Sequence, residues 1–359
     1  MKVRTLTVEC FKTFFRYTLD LVDPTTGRAK DFCVLIGENG SGKTTLLQAI
    51  ALPLALATRR IEFAHEFKWP GFILERMRSA WLPRASKITL VVEFHPDEIQ
   101  ATREFASSIP ELADRPDYAL PGSNETVTLT YENGALRAQE GQEAFFQFRG
   151  REYVKQLIRY NLQRHEAFER VGGVFWYDQE RKASSLTFEK LNGAEPEAEL
   201  AALRRRLADW RAFHLEIEYG QRKLQPGQRD YYGDLAAAFE RIFAPRKFKG
   251  VESRPEIPAE PGGEDVWFVL TDGRHDYELA EMSSGEKAVF PMLYDFTHWR
   301  INRSVVLLDE VELHLHPPLQ QFLLTVLPKL GNDNQLIVTT HSEEVLRVVP
   351  EGSVHRVWP

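Results

Sequence analysis

The chain has 359 residues, longer than most single domains, so its length predicts a large domain with an inserted or appended second lobe. Hydrophobic residues make up 43% and charged residues 27% of the sequence. No stretch approaches the roughly 18 apolar residues that span a bilayer, so we expect no transmembrane helix and no membrane partner. The net charge of -7 argues against a surface built to coat nucleic acid, although it allows a local basic groove.

The first part of the chain predicts strands on both sides of a glycine-rich loop. Residues 3–11 alternate as in a strand, and because they lack the apolar core of a signal peptide we expect a cytoplasmic protein. An apolar run at 32–36 predicts a second strand. Residues 45–52 then have apolar side chains at helical spacing until Pro53. Strand patterns at 87–94 and 125–131 predict an antiparallel β subdomain at about 85–135.

The rest of the chain begins with a helical pattern from about 151 and a strand at 174–177. A polar region rich in Glu and Arg follows to about 250, where we expect helices, and then a loop at 250–265. Residues 266–270 and the Asp272-Gly273 turn predict a hairpin. Residues 304–341 predict strand, helix and strand.

The glycine-rich loop carries the most specific chemistry in the sequence. Its residues are Gly37, Glu38, Asn39, Gly40, Ser41, Gly42, Lys43, Thr44 and Thr45. They match the Walker A pattern, in which backbone N–H groups surround the phosphates of ATP, Lys43 reaches the β and γ phosphates, and Thr44 ligates magnesium. The strand before the loop and the helix after it are the context that this motif requires.

Two later strands end in residues that suit the same chemistry. The apolar run 304–308 leads into Asp309, expected to hold magnesium, and Glu310, expected to polarise the attacking water. Strand 335–340 leads into His341, which a parallel neighbour would bring to the γ phosphate. Alone, such acids could belong to a solvated strand end, and such a histidine to the surface. The glycine-rich loop favours the functional interpretation.

Residues 282–287 resemble the signature motif of ABC ATPases, with Ser283, Ser284, Gly285 and Glu286 at the expected start of a helix. A simple N-cap by Ser283 or Ser284 is the alternative. In ABC proteins this element contacts the γ phosphate held by the partner subunit, so the resemblance implies a homodimer. Met282 replaces the usual leucine.

Within that superfamily the chain resembles the RecF, SMC and OLD-like branch. The opening strand with Phe11 and Lys12, the Ser-Ser-Gly-Glu element and the run from Asp309 to Pro317 carry the resemblance, with Val311 in place of a proline. It implies an α/β fold: an ABC-ATPase head with a parallel or mixed P-loop sheet, an antiparallel β subdomain and an inserted helical lobe. We expect the core lobe at 1–180 and 265–359, the helical lobe at 181–264, and a signature helix beginning near 283.

The resemblance also implies a Q-loop glutamine, a ligand of magnesium or water, after a strand in the middle of the chain. Gln179 is the best candidate, with a surface turn as the alternative, and Arg181 is a further candidate for a nucleotide or subunit contact. Arg159 to His165 and Arg60 to His65 both fit a loose Arg-x4-6-His ribonuclease pattern, and this repetition shows how little it specifies. The basic runs at 204–206 and 246–249 could line a nucleic-acid groove but are also typical of a solvated helix face.

These features imply ATP and Mg2+ as cofactors, hydrolysis of ATP to ADP and phosphate, and a dimer that closes and opens with the nucleotide. In the branch that the chain resembles, such switches act in DNA repair or in defence against phages and plasmids, often with a nuclease. The stretch after His341 is too short for a Toprim nuclease, and the interval from Gln179 to Met282 is too short for an SMC coiled coil. We therefore expect a separate effector such as a nuclease, with nucleic acid as a further candidate partner.

Two other hypotheses fit the ATP-binding motifs. One is a transporter ATPase subunit, which the Leu315-His316-Pro317 run and the absence of the transporter D-loop aspartate argue against. The other is an ATP-dependent sensor or scaffold with negligible turnover, which an assay of phosphate release distinguishes.

Overall fold

The computed structural model describes residues 1–77, 85–109, 119–163, 165–178, 196–224, 228–253, 266–313 and 315–358. Its contacts divide the chain into two compact units. The first comprises Met1–Ser184, Arg300–Leu313 and Leu324–Pro359, and the second comprises Ser185–Trp299 and His314–Leu323.

Strands and helices alternate along much of the described chain. The strands are β1 (Lys2–Phe11), β2 (Phe14–Asp20), β3 (Phe32–Ile36), β4 (Lys87–Glu93), β5 (Thr126–Glu132), β6 (Ala135–Ala138), β7 (Val174–Tyr177), β8 (Lys247–Ser253), β9 (Val266–Thr271), β10 (Asp276–Glu278), β11 (Val305–Leu308), β12 (Gln335–Thr340) and β13 (Val354–Arg356). The α-helices are α1 (Lys43–Ala57), α2 (Pro96–Ser107), α3 (Gln142–Phe146), α4 (Gly150–Arg159), α5 (Pro196–Glu218), α6 (Tyr231–Phe243), α7 (Ser284–His298), α8 (Pro317–Val326) and α9 (Glu343–Leu346). By the criterion of length and hydropathy, none of the helices within the described ranges could cross a membrane.

The first unit contains two five-stranded sheets. One is parallel, with the strand order β13-β3-β12-β11-β7, and the other is antiparallel, with the order β2-β1-β4-β5-β6. In the parallel sheet β12 lies between β3 and β11, with Thr340 opposite Ile36 and Val338 opposite Leu308. The carboxyl ends of the three strands therefore meet at one edge, where ligands bind in open α/β sheets. The α/β class and the antiparallel pairing of the two predicted subdomain strands are confirmed.

Helix α1 packs against strands of both sheets of the first unit, and nearly all of its residues are buried. From Leu46 to Ala57 its one polar residue is Gln48, a pattern typical of a helix with no solvent-facing side. The sequence predicted an end at Pro53, but α1 continues to Ala57 with Pro53 inside it. A proline inside a helix costs about 3 kcal/mol, and burial of several leucines at about 1.5–3 kcal/mol each outweighs that cost.

The second unit combines helices with a three-stranded antiparallel sheet of order β10-β9-β8. Phe248 of β8 lies within an aromatic cluster, with its ring centroid 4.8 Å from that of Phe239, 5.1 Å from that of Phe268 and 6.2 Å from that of Phe290. This cluster connects the sheet to α6 and α7. The unit covers more of the chain than the lobe expected at 181–264, because the hairpin of β9 and β10 and helix α7 pack within it.

Strand β8 lies where the sequence analysis expected the end of a polar helical region and the start of a loop. Its residues, Lys-Phe-Lys-Gly-Val-Glu-Ser, alternate only partly, and the pairing with β9 shifts register between Phe248 and Gly250. Gly250 has a φ of 141°, which a residue with a side chain rarely adopts. The pairing with β9, more than the local sequence, therefore determines this strand.

Candidate functional site

The glycine-rich loop joins the end of β3 to the start of α1 in the first unit. Gly42 precedes the helix with a φ of 95°, and a Cβ atom added there would collide with the ring of Phe14. Glycine is therefore required at this position both by the backbone and by the close approach of the β1–β2 turn. The loop tip at Glu38, Asn39 and Gly40 is exposed, so its outer face is open to a ligand.

Lys43 is the cation of this loop and is only 6% exposed. Its Nζ donates to the carbonyl oxygens of Gly37 at 2.8 Å and Glu38 at 3.0 Å. The hydroxyl oxygen of Ser41 is also buried, and it has no hydrogen-bond partner within the described chain. A buried ammonium group and an unsatisfied hydroxyl are groups that phosphate oxygens would satisfy, so the loop fits a bound triphosphate.

Asp309 follows the fully buried strand β11 and is 2% exposed. The hydroxyl of Thr44 donates to both of its carboxylate oxygens at 2.9 Å, and the hydroxyl of Thr339 donates to Oδ1 at 2.6 Å. Burial raises the pKa of Asp309 above its usual range, while these two hydroxyl donors act in the opposite direction. Two hydroxyl groups therefore help to keep a buried carboxylate ionised.

The side chains of Thr44 and Asp309 also show whether the site could bind the implied magnesium ion. Mg2+ prefers hard oxygen ligands and usually takes one or two carboxylates together with phosphate oxygens and water. The Thr44 hydroxyl and the Asp309 carboxylate are in contact beside the phosphate loop, so the residues present fit that ion.

Glu310 has a backbone φ of 48°, in the left-handed region that residues with side chains seldom adopt. Its N–H donates to the hydroxyl oxygen of Thr339 at 2.7 Å. Backbone conformations of this kind cost about 1–3 kcal/mol and are common at functional sites, where the surrounding structure fixes them.

His341 follows the buried strand β12, and its side chain is half-exposed. Its Nδ1 lies 2.8 Å from Oε1 of Glu312, and its backbone N–H donates to the same oxygen at 2.6 Å. The imidazole is thus held on one side by a carboxylate while the other side faces outward. Together with Thr44, Asp309 and Glu310, it lies at the carboxyl edge of the parallel sheet, as the sequence predicted.

The candidate signature residues lie in the second unit, where Ser283 is the N-cap of α7. The Ser283 hydroxyl accepts from the N–H of Glu286 at 3.3 Å, and the Glu286 carboxylate accepts from the N–H of Ser283 at 2.9 Å and from its hydroxyl at 2.6 Å. Tyr277 of β10 donates to Oε1 of Glu286 at 2.5 Å, and Arg246 lies 3.8 Å from Oε2. The carboxylate, 2% exposed, therefore fixes the first turn of α7.

Gln179 and Arg181 lie outside the described residues, which stop at Asp178 directly after β7 and resume at 196. The role of Gln179 therefore stays a prediction. The side chain of Ser284 is also outside the described part of the structure, although its backbone begins α7.

Several positive side chains that the sequence analysis considered for other functions are used within the fold. Arg60 lies over the ring of Trp176 at 3.4 Å from its centroid and donates to the carbonyl of Val174, which indicates a structural role. Arg204 pairs with Glu278 at 2.7 Å, and Lys249 pairs with Glu252 at 3.0 Å. These pairs reduce the charge that the two basic runs can offer to nucleic acid.

Three residues that the sequence analysis did not single out contact the predicted site residues: Glu312, Thr339 and Tyr277. Glu312 and Thr339 are close in sequence to residues that were predicted, so proximity to the motif was an available signal. Nothing in the sequence around Tyr277 indicates that it contacts Glu286, because the contact joins a strand to a helix.

The fold and the motif residues define the class of this protein as an ABC-type ATPase of the RecF, SMC and OLD-like kind. The sequence profile of the family described as "AAA domain, putative AbiEii toxin, Type IV TA system" matches residues 144–347, and the chain belongs to that family. The match includes the Asp309 and His341 strands and the α7 region, whereas the phosphate loop lies before it.

Similar proteins agree with this class. The "Retron Ec83 probable ATPase" of Escherichia coli is 32% identical over 87 residues, which are 21% of this chain and 16% of that protein. "Protein ea59" of Escherichia phage lambda is 37% identical over 81 residues, or 22% of this chain and 15% of that protein. The chain thus spans less than a fifth of either curated relative.

Among solved structures, the chain is similar in fold to an SMC head described as "SmcHead bound to the C-winged helix domain of ScpA", with a TM-score of 0.56 and 16% identity. The alignment covers 100% of this chain and 94% of that one. At this identity the likeness shows the fold alone.

Proposed function

We propose that this protein hydrolyses ATP to ADP and phosphate in a magnesium-dependent reaction. The observation that carries the proposal is the contact of Thr44, at the start of α1, with Asp309, at the end of β11, beside the phosphate loop. A hydroxyl and a carboxylate in contact at this place suit a magnesium nucleotide. Glu310 is the next residue after Asp309, where its carboxylate could polarise the attacking water.

In this proposal Lys43 and the loop N–H groups bind the β and γ phosphates. Thr44 and Asp309 hold Mg2+, with Gln179 as a further ligand, and the ion would neutralise charge on the phosphates. Glu310 orients and polarises water, and His341 contacts the γ phosphate from the neighbouring strand. Glu312 holds His341 by its Nδ1 side, which leaves Nε2 for the nucleotide.

We further propose that ATP closes a homodimer in which Ser283, Ser284, Gly285 and Glu286 of one subunit complete the site of the other. The start of α7 supports this proposal, because free N–H groups and the helix dipole at a helix N-terminus favour an anion. Opening and closing of the dimer would act as a switch on a separate effector, such as a nuclease.

A role in defence against phages or plasmids, or in DNA repair, is the biological function that we propose for this switch. The family description, which names a toxin-antitoxin system, supports the proposal of defence. The ion pairs of Arg204 and Lys249 reduce the positive charge that these two runs could offer to nucleic acid.

Phosphate release at steady state, measured with Mg2+ and ATP, tests the proposal. The wild-type protein should release phosphate, Glu310→Gln should release far less, and chelation of magnesium should stop the reaction. Glu132→Gln, an exposed acid at the end of β5, is the matched control and should keep the wild-type rate. Absence of turnover in the wild type, with ATP still bound, would instead favour the sensor or scaffold hypothesis.

A further inference from the structure

Thr339 lies beside the two consecutive acids of the candidate site, Asp309 and Glu310, and the mechanism proposed above gives it no part. It is the fifth residue of β12 and is 0% exposed. Its single hydroxyl donates to Oδ1 of Asp309 at 2.6 Å and accepts from the N–H of Glu310 at 2.7 Å. One side chain from the neighbouring strand is therefore bonded to both consecutive acids.

The two bonds differ in what they do. The bond to Asp309 orients a buried carboxylate, because Thr339 donates to Oδ1 alone whereas Thr44 lies 2.9 Å from both oxygens. The bond from Glu310 anchors an N–H in a residue whose φ of 48° is unfavourable. Without this acceptor, Glu310 would lose a hydrogen bond that stabilises its left-handed backbone conformation. A change of that conformation would also turn the side chain of Glu310.

From this geometry we propose that Thr339 is a positioning residue for ATP hydrolysis, which sets the relative placement of the Asp309 carboxylate and the Glu310 side chain through its hydroxyl. The proposal rests on the proposed function, since it assigns Asp309 to magnesium and Glu310 to water. Thr339 would act by holding Asp309 and Glu310, the two residues assigned to magnesium and to water.

A valine at this position has nearly the same shape but lacks the hydroxyl, so Thr339→Val removes both bonds and little else. We expect kcat to fall by about 10- to 100-fold, the scale on which misplaced catalytic groups lose rate, with a smaller change in KM for ATP. Thr339→Ser keeps the hydroxyl and should retain most of the wild-type kcat.

Thr58→Val is the matched control. Thr58 is also a buried threonine of the first unit, and its hydroxyl donates to the carbonyl of Leu54 at 2.7 Å, at the opposite end of α1 from the phosphate loop. Its loss should lower thermal stability in the same way as the loss of any buried hydroxyl bond, while kcat stays at the wild-type value.

A second readout does not depend on activity. In nucleotide-free and metal-free protein, hydrogen–deuterium exchange of peptides that cover residues 305–313 should be faster in Thr339→Val than in wild type, with the increase at the Glu310 amide. Thr339→Ser and Thr58→Val should match the wild-type exchange of these peptides. Should Thr339→Val fail to fold, Thr339→Ala removes the same hydroxyl and is measured in its place.

The outcomes separate this inference from the proposed function. Faster exchange together with a lower kcat supports it. Wild-type kcat in Thr339→Val, or a loss of kcat that serine does not restore, overturns the positioning role while ATP hydrolysis stands. If the wild type itself has no turnover, the proposed function fails, and unchanged exchange in Thr339→Val would then show that the hydroxyl does not hold Glu310 either.

Discussion

A single oxygen of Glu312 binds His341 twice, through the backbone N–H at 2.6 Å and through Nδ1 of the ring at 2.8 Å. The carboxylate is 6% exposed, whereas the imidazole is 49% exposed. A buried acid therefore sets both the position and the tautomer of a residue that faces outward, since the proton on Nδ1 points to Glu312. Nε2 is left as the ring atom that can meet a ligand.

Replacement of this acid should slow hydrolysis without loss of nucleotide. We expect Glu312→Ala to lower kcat by about 10-fold or more, because His341 loses its orientation, and to keep ATP affinity near that of wild type. His341→Ala should have a similar effect, and the double variant should be no slower than the slower single variant, since both remove one unit. Glu344→Gln, which alters the ion pair of Glu344 with the exposed Arg347, is the control. Additive losses of kcat would contradict the coupling of the two residues.

Lys43→Ala should abolish stable ATP binding, because it removes the cation that the loop places between the β and γ phosphates. Equilibrium binding of a labelled nucleotide measures the loss. Lys249→Ala removes an exposed lysine of the second unit and should bind as the wild type does. Unchanged affinity in Lys43→Ala, with the protein folded by thermal melting, would refute the assignment of the phosphate loop.

Glu310→Gln should keep ATP binding, hydrolyse slowly and accumulate as a closed dimer, since Thr44 and Asp309 still hold the magnesium nucleotide while activation of water is lost. Gel filtration with ATP and Mg2+ should show the dimer. Chelation of the metal should return the elution volume to that of the nucleotide-free protein. A variant that stays monomeric with ATP, or one that hydrolyses at the wild-type rate, contradicts the role given to Glu310.

Ser284→Arg should block the dimer while each monomer still folds and binds ATP, because a bulky cation at the start of α7 would prevent closure on a partner's nucleotide. Neither this variant nor Lys43→Ala should hydrolyse ATP alone. Their mixture should regain up to about half of the activity of one dimer, because one of the two sites then pairs an intact Lys43 with an intact Ser284.

The control for this mixture is Ser108→Arg, which adds the same cation at the exposed end of α2 and should keep its activity. Activity in Ser284→Arg alone would exclude a site shared between subunits. A mixture that forms heterodimers but stays inactive would show that the two sites cannot act separately.

Tyr277→Phe should weaken the ATP-dependent dimer and lower kcat, because the buried Glu286 loses a donor and the first turn of α7 loosens. Burial and the neighbouring Glu286 carboxylate both raise the pKa of Tyr277, so its hydroxyl stays protonated and can donate throughout the neutral range. ATP binding to the monomer should not change. Tyr232→Phe, which removes a buried tyrosine hydroxyl bonded to Arg211 at 2.8 Å, is the control. Equal losses in the two variants would indicate a general effect on stability.

The sequence predicted those parts of the site that depend on local patterns. The loop from Gly37 to Thr44 has the required residues in a fixed order, and the strands before Asp309 and His341 contain the apolar runs 305–308 and 336–338, which are typical of a buried parallel sheet. Their relative placement followed because parallel neighbours align their carboxyl ends.

Contacts between distant elements could not be predicted in the same way. Thr339 meets Asp309 only because β12 and β11 align in one register, and a shift of one residue would turn its side chain to the other face. Tyr277 meets Glu286 through the packing of a strand on a helix, and β8 depends on its partner β9. Such contacts result from the tertiary fold, so no local pattern of residues predicts them.

The place of β3 in its sheet affects how the chain reaches its native state. Both neighbours of β3, the strands β12 and β13, are made long after β3 itself, because residues 37–334 separate β3 from β12. Parallel pairing at such sequence separation is slow, because a long loop must close before any contact forms. Until then its Phe-Cys-Val-Leu-Ile segment is an apolar strand with unpaired edges, which favours aggregation. Refolding yield should therefore fall steeply with protein concentration.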